Sequence, residues 1–263
     1  MSAHNSSFYR VTDITQSDVQ SLFKIAKKIK ESQNFSIPGK LLNTQLNQKI
    51  IALMFLENST RTRLSFEAAA KKIGLQTILL QNDNTSSLSK GESLIDTVET
   101  VLAMKPSALV IRHSSAELGN YLKENVNIPV INAGEGSLSH PTQALLDAFT
   151  LQESLDSLEA KKIVIVGDVL HSRVANSNKA LLSSMGMDVA VCCPKEMFPG
   201  ESPSWKSVKH FNNLEDAIAW SDAVMVLRVQ KERHNSFSFN ESDYIKKFRF
   251  EDRHINLMRE GQF

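Results

Sequence analysis

The chain has 263 residues, 41% of them apolar, so it can bury one large core or two modest ones. Its 30 basic and 29 acidic residues leave a formal charge of +1, which excludes a general nucleic-acid binder but leaves room for a local cationic site that takes a small anion. No apolar run is long enough to span a bilayer, and Met1–Arg10 is polar and lacks the apolar centre of a signal peptide, so a soluble cytoplasmic protein is expected.

In chain order, Ser17–Lys30 reads as an amphipathic helix and Lys49–Phe55 as a buried strand. Thr60–Ile73 reads as a helix stopped by Gly74, and Thr77–Leu80 as a short strand. Gln81–Gly91, crowded with Asn, Asp, Thr and Ser, is an exposed loop. Helix Ser93–Met104, strand Ala108–Arg112, helix Ala116–Glu124 and strand Ile128–Asn132 follow. A flexible loop, Gly134–Ser139, leads into the helix Thr142–Leu155. A second series has strand Lys162–Val166, helix Arg173–Met185, strand Asp188–Cys192, helix Leu214–Trp220 and strand Ala223–Leu227. A helix at Arg253–Arg259 comes last. Cys192 and Cys193 are adjacent on a predicted strand and so point to opposite faces. They read as two small core residues rather than as a disulfide or a redox pair. No Cys/His cluster has metal-ligand spacing, and no metal or cofactor is implied.

Strands separated by helices imply an α/β fold with two doubly wound domains, each a parallel sheet flanked by helices. The expected division is 1–141, an interdomain helix at 142–155, and 156–263. Ligands of such sheets sit beyond the carboxyl ends of the strands, so the residues following each strand are the candidates for function.

Glu57-Asn58-Ser59-Thr60-Arg61-Thr62-Arg63 follows the first buried strand and opens a helix. A helix N-terminus carries partial positive charge and unpaired N–H donors. Hydroxyls and the Arg61 fork add donors suited to phosphate oxygens. Anion binding competes here with ordinary capping by Ser or Thr and solvated arginines. Arg63 is expected to face away from Arg61, since neighbouring helical residues point in different directions. Arg112, at a buried strand's carboxyl end, either faces the crevice or pairs with a local carboxylate. His140-Pro141-Thr142-Gln143 opens the linking helix, where the dipole opposes imidazole protonation and a neutral ring donates one N–H. Gly167-Asp168 turns out of the first strand of the second series into a helix that opens with Arg173, but the Gly-x-Gly-x-x-Gly spacing of a dinucleotide site is missing. Arg228-Val229-Gln230-Lys231-Glu232-Arg233, taken alone, is an ordinary solvated charge run.

Together these segments resemble the aspartate and ornithine carbamoyltransferase family, with Ser-Thr-Arg-Thr-Arg, Ile-Arg-His, His-Pro-Thr-Gln, Gly-Asp…Arg and Arg-Val-Gln in the family's order. The resemblance implies that Ser59, Thr60, Arg61 and Thr62 hold the phosphate of carbamoyl phosphate, with Arg112 on phosphate and carbonyl oxygen. His140 would polarise the carbonyl and Gln143 would bind the carbamoyl amide. Arg61, Thr62, Arg112 and His140 form the implied catalytic set. Arg173 would hold the α-carboxylate of L-aspartate, Arg228 its side-chain carboxylate, and Gln230 would assist. Thr142 stands where the ornithine enzymes typically have Cys, which favours aspartate as acceptor. Ser87 and Lys90 resemble a loop that reaches the neighbouring subunit's site, Lys90 contacting aspartate, so a homotrimer with shared sites is implied, and regulatory chains are allowed. Glu57 and Arg233 resemble a pair that bridges the domains on closure.

The implied reaction gives N-carbamoyl-L-aspartate and phosphate, an early step of pyrimidine biosynthesis, with neither nucleic acid nor membrane as partner. The family pattern continues past the position of Phe263 with a strand, a His-Pro-x-Pro turn and returning helices. The second domain is accordingly expected to be incomplete, with an open sheet edge and exposed apolar surface. Two alternatives follow: a truncated, inactive chain with an assembly role, or a transferase for ornithine or another amine.

Overall fold

Six-residue apolar runs with no polar interruption, such as Ile50–Phe55, are buried on both faces, and that demands helices above and below a parallel sheet. The computed structural model describes residues 7–32, 46–81, 91–230 and 241–263, and the chain divides into two compact units, Met1–Thr142 and Gln143–Phe263.

The first unit runs α1 (Gln16–Glu31), β1 (Ile50–Phe55), α2 (Thr60–Lys72), β2 (Gln76–Gln81), α3 (Leu94–Ala103), β3 (Ala108–His113), α4 (Ala116–Asn125) and β4 (Val130–Glu135). Its strands lie in the order β2-β1-β3-β4, all parallel. The two-residue period of β1 sorts its side chains. Ile51, Leu53 and Phe55 pack with Ala70 of α2 on one face. Ala52 and Met54 pack with Val98 and Val101 of α3 and with Leu118 and Leu122 of α4 on the other. Helix α5 (Pro141–Leu155) begins at the end of this unit and runs into the next.

The second unit holds β5 (Lys162–Val166), α6 (Arg173–Ser184), β6 (Asp188–Cys192), β7 (Lys209–Phe211), α7 (Leu214–Trp220), β8 (Ala223–Val226), α8 (Glu241–Phe248) and α9 (Asp252–Ile255). Its order is β7-β6-β5-β8, again parallel throughout. Cys192 packs with Val164, Val166 and Ile218, while Cys193 packs on the opposite face with Val191, Met197 and Trp205. Both thiols are free and buried. Burial raises both, Cys192 to about 12, so neither is a nucleophile near neutral pH.

Each sheet reverses direction beside its first strand. β2 lies on one side of β1 and β3 on the other; β6 lies on one side of β5 and β8 on the other. A crevice therefore opens at the carboxyl ends of β1 and β3 in the first unit, and of β5 and β8 in the second.

Four local expectations change. β4 does not end at Asn132 but continues to Glu135 through a bulge, where Ile111 pairs with Asn132 yet His113 pairs with Glu135. Gly134 supplies the required φ of +130°, and its N–H donates to Asn132 Oδ1 at 2.7 Å, so this glycine shapes a strand rather than opening a loop. β7 has three residues, too few for a period to show. α8 has no counterpart among the expected elements, and Phe248 is its buried residue. The helix expected over Arg253–Arg259 is one turn, Asp252–Ile255. Beyond it, Arg259 Nη2 donates to Ser221 O at 2.7 Å and Gln262 Nε2 to Ile218 O at 2.9 Å, and these bonds pin the segment to the end of α7. Phe263 N then donates to Asp222 O and Val224 N to Phe263 O, alongside β8. Among the described residues no helix is long and apolar enough to cross a membrane.

Candidate active site

In the first unit Leu56 N donates to Arg112 O at 2.9 Å, which carries the β1–β3 pairing to the rim of the crevice. Just beyond, Arg112 Nε lies 3.4 Å from Glu57 Oε2, with side chains 14% and 21% exposed. Of the two options for Arg112, pairing with a local carboxylate at the crevice is the arrangement adopted. Glu57 is expected from the sequence to bridge to Arg233; among the described residues it forms an ion pair with Arg112, in its own unit. Arg233 lies outside the described residues, as do Ser87 and Lys90.

Ser59 occupies the N-cap of α2 with extended backbone, yet its side chain makes no capping bond. Five other helices make this bond: Thr15, Ser93, Ser115, Ser172 and Asn213 each accept from the backbone N–H three residues on. No acidic residue lies in the first turn of α2 either. The N–H donors and partial positive charge of this helix end at the switch point are thus capped neither by the Ser59 side chain nor by an acid in the first turn. Thr60 and Arg61 are exposed, Ser59 and Thr62 half-buried. Arg63 turns away, donating from Nη1 to Gln81 Oε1 at 2.8 Å at the end of β2.

After β4 the chain makes a tight turn in which Glu135 N donates to Ser139 O at 2.8 Å. This delivers His140, 6% exposed, immediately before α5. Its Nδ1 lies 3.5 Å from Thr142 Oγ1. His113, 3% exposed, stands in register with the buried Glu135, which faces Arg10 at 3.6 Å. That places His113 in the packing between strands.

The second crevice is organised by Asp168, which is 0% exposed. Its carboxylate accepts from His171 Nδ1 at 2.8 Å and from the backbone N–H of Gln230 at 3.2 Å. Gln230 Nε2 returns a bond to His171 O at 3.2 Å. One buried carboxylate therefore ties the turn after β5 to the segment after β8, and so brings together the parts that carry Arg173, Arg228 and Gln230. Arg173 opens α6 and is buried, whereas Arg228 is exposed. Asn176 accepts from Trp205 Nε1 at 3.0 Å, a packing role. Tyr244 of α8 covers the turn, and burial, with the Asp168 charge beside it, pushes its hydroxyl up to about 12.

Gly167, at φ +115°, makes this turn feasible. A Cβ there would lie 2.7 Å from Leu227 O, a backbone atom. Gly167→Ala should cost about 2–4 kcal/mol from left-handed strain plus the clash, read as a lowered urea midpoint. A cost under about 1 kcal/mol would mean that the two crossing segments part easily.

Two roles escape the sequence reading: that of Asp168, named there only as part of the Gly-Asp turn, and that of Asp147. The first is signalled by an acid placed directly after Gly at a buried strand's end. The second is signalled by its spacing of four from Gln143 on a helix. Gln143 Nε2 donates to Asp147 Oδ1 at 2.9 Å. Among the described residues no group of three His, Cys, Asp or Glu side chains is placed to hold a metal.

Two parallel α/β units, each with basic residues at its switch point, define a two-unit α/β protein with crevices suited to anionic ligands. Residues 6–153 match the family description "Aspartate/ornithine carbamoyltransferase, carbamoyl-P binding domain", and residues 159–262 match "Asp/Orn binding domain". The chain belongs to the aspartate/ornithine carbamoyltransferase family.

Within that family it is similar to proteins named aspartate carbamoyltransferase catalytic subunit. It is 45% identical to that of Desulfitobacterium hafniense (strain DSM 10664 / DCB-2) over 226 residues, 86% of this chain and 71% of the relative. It is 40% identical to that of Solibacter usitatus over 250 residues, 95% and 82% of the two chains. For Prosthecochloris aestuarii the figures are 49% over 192 residues, 73% of this chain and 61% of the relative. The fold matches that of aspartate transcarbamoylase from Trypanosoma cruzi in complex with N-(phosphonacetyl)-L-aspartic acid, with a TM-score of 0.82 at 24% identity, over 99% of this chain and 84% of that one.

Proposed function

We propose that the chain transfers the carbamoyl group of carbamoyl phosphate to the amino group of L-aspartate, the activity that the names of its relatives carry. The observation that weighs most is the uncapped N-terminus of α2 beside Arg112: a ready anion site at the first switch point. Ser59, Thr60, Arg61 and Thr62 then take the phosphate. Glu57 holds the Arg112 fork at the crevice, and His140 and Gln143 read the carbamoyl group. Arg173, Arg228 and Gln230 take the acceptor, with two planar forks for two carboxylates. Ornithine has one carboxylate and a side-chain ammonium, and fits that pair poorly.

In this reading the unprotonated α-amine attacks the carbamoyl carbon and a C–N bond forms. Negative charge grows on the carbonyl oxygen, facing donors from Thr62 or Arg61, Arg112 and His140. The C–O bond to phosphate then breaks, and the amine proton leaves with the phosphate. Preorganised donors of this kind are worth about 10²–10³ in rate each. Alignment of the two substrates supplies a further share. No covalent enzyme intermediate and no cofactor enter.

The reading extends to a cytoplasmic homotrimer in which Ser87 and Lys90 serve a neighbouring subunit's site, with Glu57 and Arg233 bridging the domains on closure. The domains are a carbamoyl phosphate domain over 1–141, a linking helix at 142–155 and an aspartate domain over 156–263. The test is incubation of purified protein with carbamoyl phosphate and either L-aspartate or L-ornithine, with assay of carbamoyl-aspartate and citrulline. Carbamoyl-aspartate is expected. Citrulline instead, or no product from folded protein, would overturn the assignment.

A further inference from the structure

Asp147 sits one turn after Gln143 on α5, and its two carboxylate oxygens are spoken for. Oδ1 accepts from Gln143 Nε2 at 2.9 Å, and Oδ2 accepts from Asn178 Nδ2 at 2.7 Å. Asn178 is fully buried on α6, and its Nδ2 also donates to Val174 O at 3.1 Å. Two acceptors thus fix the Asn178 amide with nitrogen toward Asp147. Its buried Oδ1 is left without a hydrogen-bond partner among the described residues, an arrangement that a free choice of orientation would avoid.

A carboxylate can only accept, so the end of the Gln143 amide that meets Asp147 must be the nitrogen. The carbonyl oxygen Oε1 is then the end that Gln143 presents to a ligand. We propose that Asp147 is a positioning and specificity residue: by holding the Gln143 nitrogen, it makes Gln143 an acceptor and so selects a carbamoyl –NH2 over a group without N–H. The inference rests on the reading of Gln143 as the contact of the carbamoyl amide. Burial raises the Asp147 carboxyl, and the Asn178 and Gln143 amides oppose that shift by donating to its ionised form.

The same geometry sets the outcome of one substitution. In Asp147→Asn the new amide has one accepting and one donating end. Asn178 Nδ2 remains fixed by Val174 O, so the new oxygen must face Asn178 and the new nitrogen must face Gln143. Gln143 then has to turn its own oxygen inward and present –NH2, the wrong polarity for a carbamoyl amide.

The experiment is calorimetric titration of the full chain, at low temperature, with carbamoyl phosphate, acetyl phosphate and inorganic phosphate. Acetyl phosphate has a methyl group where carbamoyl phosphate has –NH2. Wild type should prefer carbamoyl phosphate to acetyl phosphate. D147N should lose about tenfold in carbamoyl phosphate affinity with acetyl phosphate and phosphate unmoved. Asp147→Ser, which shortens the acceptor away from Gln143, should show the same selective loss and serves if D147N does not fold. Retention of the preference in these variants, or equal weakening toward all three ligands, would overturn the proposal. Wild type that binds phosphate but does not prefer carbamoyl to acetyl phosphate would instead overturn the role of Gln143. Wild type that binds none of the three would overturn the carbamoyl phosphate reading itself, and the inference with it.

Discussion

Arg61→Ala is expected to abolish measurable phosphate and carbamoyl phosphate binding while leaving the fold intact. Arg61 is exposed in the first turn of α2, and exposed substitutions away from caps and cores usually change stability by less than about 0.5 kcal/mol. Charge-assisted hydrogen bonds are worth about 1.5–3 kcal/mol each, and a guanidinium fork can make two of them to one phosphate. A loss of about 3–6 kcal/mol corresponds to at least a hundredfold in affinity. Substituting a single hydroxyl at Ser59, Thr60 or Thr62 should cost less, because the backbone donors of the helix end remain. Arg61→Lys should fall between, since it keeps the charge and loses the planar fork. Titration with inorganic phosphate checks this without any need for turnover. Unchanged phosphate affinity in Arg61→Ala, with a normal unfolding midpoint, would move the anion site away from α2.

Much of this arrangement is legible in the sequence because a doubly wound fold writes its strands as uninterrupted apolar runs and its helices as periodic stretches with clear ends. Lys162–Val166, Asp188–Cys192 and Leu214–Trp220 have the same bounds in sequence and structure. The candidate site residues could be proposed from sequence for a related reason: in a doubly wound sheet the residues after the central strands are carried to the switch point. What stays hidden depends on contacts distant in sequence. No local pattern says that Glu57 meets Arg112, since that pairing comes from β1 and β3 lying side by side with α2, β2 and α3 between them in the chain. Asp168 accepting from Gln230, 62 residues later, is hidden in the same way. The β4 bulge escapes because a glycine at positive φ looks the same in sequence whether it ends a strand or bends it. The short helical turn at Asp252–Ile255 loses its expected length to side-chain bonds from Arg259 and Gln262, a tertiary gain that local propensity does not contain.

Arg228→Ala is expected to raise the KM for L-aspartate by about a hundredfold or more, with the KM for carbamoyl phosphate nearly unchanged. Arg228 follows β8 at the second switch point, where Leu227 N donates to Val166 O at 2.8 Å and Gln230 N is held by Asp168. The backbone on either side of Arg228 is thus fixed by main-chain bonds that alanine preserves, and the side chain is exposed, so the substitution removes a fork without collapsing its support. The acceptor analogue that isolates this contact is L-asparagine, which keeps the α-carboxylate and loses the side-chain charge. Wild type should discriminate strongly between aspartate and asparagine. The discrimination should shrink in Arg228→Ala because aspartate falls toward asparagine, not because asparagine improves. Arg173→Ala is the complementary case: loss of an α-carboxylate contact should weaken aspartate and asparagine together and leave their ratio in place. If Arg228→Ala also keeps the wild-type ratio, the side-chain carboxylate is read elsewhere in the chain, and the two-fork account of the acceptor site is wrong.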